Sequence, residues 1–150
     1  MALGFLVPGR LDQLTGGYLY DRHVVDGLRQ QGRAVDVVQL PGRYPDADAE
    51  TRHAAADALA RQPDGRTVII DGLALPGLVD SLATHAQRLR LVGFIHHPLS
   101  LESGQSEASA QHYAELEAAL WPHLKGAICP SEHTARALRA GGLPASRVAV

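Results

Sequence analysis

Between Leu91 and Gly104 the chain reads LVGFIHHPLSLESG, an apolar run that stops abruptly at two histidines and a proline. A continuous apolar run, rather than an alternating one, suits a strand covered on both faces, and such strands belong to parallel sheets flanked by helices. Open sheets of this kind bind ligands just beyond the carboxyl ends of their strands. His96 and His97 therefore stand at a chemical edge, and Pro98 keeps a helix from starting directly behind them.

The rest of the sequence repeats this rhythm. Strands are expected at Leu3 to Pro8, Ala34 to Leu40, Thr67 to Asp71, Ala127 to Cys129 and Val148 to Val150, with the organising strand fourth in order. Helical periodicity lies between them. Tyr20, Val24 and Leu28, with Val25 beside them, predict a helix stopped by Gly32. Ala54, Ala55, Ala58 and Leu59 predict a short alanine-faced helix. Leu75, Leu78, Val79, Leu82, Ala83 and Ala86 predict another, with Pro76 in its first turn. Tyr113, Leu116, Leu120 and Leu124 carry a longer helix that Pro122 bends or ends. Ser131 is placed to cap a last helix, with Glu132 in its positive first turn and Gly141-Gly142 as its stop. Six strands alternating with helices at short spacing predict an α/β fold, a Rossmann-like three-layer sandwich with a mostly parallel sheet.

The totals bound the function. At 150 residues the chain holds one domain, and no apolar stretch approaches the ~20 residues of a membrane helix. The amino terminus lacks the features of a secretory signal, and a single cysteine, Cys129, closes neither a disulfide nor a cysteine-based metal site, which fits a cytoplasmic location. A net charge of -2 and 5% aromatic residues argue against nucleic acid as a partner.

Chemistry-bearing residues concentrate at the carboxyl edge. In the loop from Pro8 to Gly17, the amides of Gly16 and Gly17 at the start of a helix can receive a phosphate or diphosphate; alternatively the glycines serve only backbone geometry. Glycines at 4, 9, 16 and 17 do not match GxGxxG, which lowers a dinucleotide-dehydrogenase reading. His96 and His97 are candidates for hydrogen-bonding a sugar or for general acid–base work, and adjacent strand residues point to opposite sides, so one of them lines the cleft. With no HExxH motif and no cysteine pair, no metal or cofactor is expected. Asp71 ends the third strand as either an edge group or a turn residue. Arg10, Asp12, Arg43, Tyr44 and Glu102 are loop candidates for holding an acceptor. Cys129 reads as a small buried hydrophobe and Ser131 as a cap, because no G-x-S-x-G elbow surrounds it.

The opening GFLVPGRLDQLTGGYLYDRHVVDGLRQQGRAVDVVQLPGRYP resembles the start of a GT-B glycosyltransferase of glycosyltransferase family 4, and LVGFIHHPLSLESG and AICPSEHTARALRAGGLPASRVAV resemble later parts of the same amino-terminal domain. The resemblance implies a retaining transfer of a sugar from a nucleotide-sugar donor to a sugar, lipid or small-molecule acceptor. It matches Gly16 and Gly17 to the loop facing the donor diphosphate. It matches His96 to the strand-end histidine that contacts the transferred sugar, with His97 as the competing assignment. A family member continues into a second, donor-binding domain, whereas this chain stops at Val150. The implied expectation is an acceptor-side half, inactive alone, that pairs with a carboxyl-terminal domain or subunit. A non-catalytic binding domain or a subunit of a split enzyme explains the same length, and a nucleotide-cofactor oxidoreductase is the third reading; the fold by itself decides among none of them.

Overall fold

The computed structural model describes residues 1–13 and 15–150; Leu14 lies outside them. Among the described residues the strands and α-helices follow one another as β1 (Leu3–Pro8), α1 (Gly16–Gln30), β2 (Val35–Leu40), α2 (Ala49–Ala60), β3 (Thr67–Asp71), α3 (Leu82–His85), β4 (Arg90–Phe94), α4 (Glu107–Leu120), β5 (Gly126–Ile128), α5 (Glu132–Ala140) and β6 (Val148–Ala149). The strands form one sheet in the order β2-β1-β3-β4-β5-β6, and every neighbouring pair is parallel. This is the Rossmann-like α/β sandwich that the alternating runs predict.

The apolar runs of β1, β3 and β4 bury on both faces because each of these central strands feeds two layers. Phe5, Val7, Val35, Ile69 and Phe94 pack with Val25 of α1 on one face. Leu6, Val68, Ile70 and Leu91 pack on the other face with Ala55 and Leu59 of α2, Leu120 of α4, and Ala135 and Leu138 of α5. Burying a side chain of this size contributes about 1.5–3 kcal/mol, so each doubly covered strand is pinned from two sides. The chain leaves β1 in one direction, to β2, and thereafter steps the other way from β3 to β6. The carboxyl edge between β1 and β3 is therefore a topological switch point, where strand-end loops diverge and leave a crevice.

Two sequence expectations change. The helix expected from Leu75 to Ala86 is instead a 3-10 turn at Leu75–Leu78 followed by the single turn of α3. The periodic apolar residues there do bury, but Gly77 packs so closely that a Cβ would stand 2.7 Å from Cε1 of Tyr44, and the segment follows the wall it packs against rather than a helix axis. Gly16 and Gly17 form the first turn of α1 rather than the loop before it. The buried line on that helix is Asp21 and Val25, whereas Tyr20, placed on the apolar stripe by periodicity, is 40% exposed.

Candidate functional site

Three residues from three elements meet at the switch point. Asp21 comes from the second turn of α1, Asp71 closes β3, and His96 follows β4 by two residues. The register pairs Asp71 with Phe94, so the end of β3 and the exit of β4 lie side by side. The Nε2 of His96 donates to Oδ1 of Asp21 at 2.9 Å and lies 3.5 Å from Oδ2 of Asp71. The other oxygen of Asp71 accepts from the backbone N–H of Leu73 at 2.7 Å, which fixes that carboxylate's rotation. Asp71 is thus both an edge group and a turn residue.

The walls around this trio are apolar. The His96 ring stands edge-on to Phe94, with centroids 5.1 Å apart, and edge-on to Tyr20, which itself stacks on Phe94. From the far side, Oγ1 of Thr134, in the first turn of α5, donates to the His96 carbonyl at 3.3 Å. Tyr18 donates its hydroxyl to the Pro8 carbonyl and closes the β1 side.

Burial sets the electrostatics. Asp21 has no exposed surface, and desolvation pushes its carboxyl up to about 7 against the opposing pull of His96. Burial alone would lower the His96 pKa, but the hydrogen bonds and charges of Asp21 and Asp71 prevail and raise it to about 9. At neutral pH the ring is therefore an imidazolium, a donor with no lone pair to act as a base. The Oδ2 of Asp21 is buried with no hydrogen-bond partner among the described residues. Among the described residues, Asp21, Asp71 and His96 also form a group that could hold a metal ion, with one ligand atom from each, all within 4.8 Å of one another.

The other sequence candidates are spread more widely. His97 turns away from His96, places its Nε2 3.1 Å from the Leu101 carbonyl and lines a crevice with Tyr113, Glu117 and Trp121. Gly17 sits beside the trio: a Cβ there would meet the His96 ring at 3.8 Å, while one on Gly16 would meet none of the described residues within 4 Å. Arg10 and Asp12 pair with each other at 2.5 Å in the exposed part of the first loop. Arg43 is exposed in the β2–α2 loop, and Tyr44 packs beside Gly77 with its buried hydroxyl unpartnered among the described residues. Glu102 is exposed at the end of the short 3-10 turn Leu99–Leu101.

Sequence reasoning missed Asp21 and Glu117. Asp21 had one local signal, a carboxylate four residues before the core residue Val25 and so on the same helical face. Glu117, buried on α4, accepts the Ser100 N–H at 2.7 Å and ties down the loop after β4. No protein-family model and no curated protein matches this chain.

Proposed function

We propose that this chain is the acceptor-side, Rossmann-like domain of a sugar-transferring enzyme that takes its donor from a nucleotide sugar. The observation that carries the reading is the meeting of α1's first turn with His96 at the switch point. Thr15 offers α1 no side-chain cap, and among the described residues nothing stands within 4 Å of a Cβ on Gly16, which leaves the first amides of the helix to a diphosphate beside the ring. With its Nε2 held by two carboxylates, His96 has Nδ1 left as a donor, suited to a sugar hydroxyl or to charge developing on a departing phosphate. Its role in this reading is to bind and polarise rather than to remove a proton.

Tyr20 in the second turn of α1, Leu73 after β3 and Leu101 in the loop after β4 stay 40%, 37% and 56% exposed. Exposed apolar side chains on segments that follow β1, β3 and β4 favour a second domain or subunit closing over the cleft, and equally favour the alternative of a partner-docking domain. The retaining outcome, the cytoplasmic setting and a catalytically silent isolated domain belong to the proposal.

An amide NMR titration with UDP- and GDP-sugars tests it. The expected result is perturbation centred on Gly16, Gly17 and His96 at millimolar ligand, abolished by Gly16→Val, whose Cβ would stand in ligand space clear of the described residues. Stronger perturbation of the same residues by NAD or NADP, or no perturbation by any sugar nucleotide, would overturn it.

A further inference from the structure

We propose that Asp21, Asp71 and His96 form a three-ligand site for a divalent transition-metal ion, with zinc the best-fitting one. This inference stands independently of the glycosyl-transfer reading, because metal binding is read without substrate.

The geometry is close to what such an ion requires. Donors around zinc at 2.0–2.2 Å in a tetrahedral arrangement stand roughly 3.3–3.5 Å apart. From Nε2 of His96, the separations are 2.9 Å to Asp21 and 3.5 Å to Asp71, which bracket that spacing. One imidazole with two carboxylates suits zinc better than calcium, which takes six to eight oxygens, or magnesium, which keeps its waters. The Leu73 amide on Asp71 supplies the outer hydrogen bond that commonly orients a metal-binding carboxylate.

Charge points the same way. Two buried carboxylates face one imidazole, and among the described residues His96 is the cationic group that acts on Asp21. With the ring protonated and both carboxylates ionised the cluster carries one negative charge, and Asp21 Oδ2, fully enclosed, has no partner among the described residues. Buried carboxylate oxygens are normally paired or bound to metal. A dication on a neutral imidazole and two carboxylates brings the total to zero. The Nε2 proton passes to solvent as the ion takes its place, and the coordination left open serves water or a ligand oxygen.

The test uses the full chain, stripped with chelator and then titrated with zinc chloride against a competing chromophoric chelator. One zinc per chain is expected, bound at least about tenfold more weakly by Asp21→Asn and by His96→Ala. Cobalt should give the visible absorption of a four-coordinate site in the wild type and lose it in both variants. Zinc binding that His96→Ala leaves unchanged would assign the metal to surface histidines and overturn the proposal, as would the absence of stoichiometric binding by the wild type. If either variant fails to fold, the imidazole nitrogen signals of wild-type His96 decide: a zinc-induced shift of Nε2 supports the site, and unshifted signals at one equivalent of zinc refute it.

Discussion

The exits of β4 and β5 are built alike and end differently. Both strands run apolar into a short polar segment ahead of a helix. After β5, the cap is made locally: Ser131 Oγ accepts the Thr134 N–H to cap α5, and the Cys129 thiol faces the carbonyls of Ser131 and, on the paired strand β6, Ala149. After β4, His96 finds its partners 75 residues back on α1 and at the end of β3, and one carboxylate oxygen is left over. Polar residues answered by their own neighbours are architecture. Polar residues drawn from distant elements into an apolar crevice, with a group unanswered, are held at a cost that a purely structural role does not repay.

The largest expected difference between the two exits is in stability. His96→Ala leaves two buried carboxylates facing each other and should cost about 3–5 kcal/mol in urea unfolding. Ser131→Ala removes one helix cap and should cost about 1 kcal/mol. Equal costs would erase the contrast.

A pH series sharpens it. The folded His96 pKa of about 9 lies above the ordinary histidine value, so its stabilisation is complete below about 6.5 and is lost as the pH rises towards 9. The raised Asp21 pKa acts in the same direction, its contribution fading as the pH rises towards 7. The melting temperature of chelator-treated protein should therefore fall between pH 6.5 and 9, less steeply in the double variant Asp21→Asn, His96→Gln. An identical slope in the two proteins would remove the cluster as its source.

The smallest effect belongs to Gly17→Ala. Its Cβ would make ordinary contact with the His96 ring at 3.8 Å, so stability should move by no more than about 1 kcal/mol. A larger loss on thermal unfolding would mean that the first turn of α1 is packed against the ring more tightly than the contact distance implies.

The β4 side of this contrast was legible in the sequence only in part. The HHP stop after a continuous apolar run located the edge, and the strand alternation gave the layers, because burial on two faces leaves a one-dimensional pattern. Asp21 was hidden by its own helix: Tyr20, Val24 and Leu28 make a convincing stripe, yet α1 is rotated so that Asp21 and Val25 face inward. That rotation is set by Phe5, Ile69 and Phe94 across the sheet, which no local spacing encodes. The break after Leu78 was hidden for a similar reason, since its shape follows the Tyr44 ring packed on Gly77. Fold is written along the chain, whereas this site is written in which strand ends become neighbours.

The measurement that bears most directly on the β4 cluster is the NMR titration of the His96 imidazole in chelator-treated protein, with Asp21→Asn beside it. If two buried carboxylates hold the ring, His96 titrates near 9 and drops towards the ordinary histidine range when Asp21 loses its charge. A wild-type His96 that titrates near 6.5, and does not respond to Asp21→Asn, would contradict the cluster as the chemical centre of the molecule.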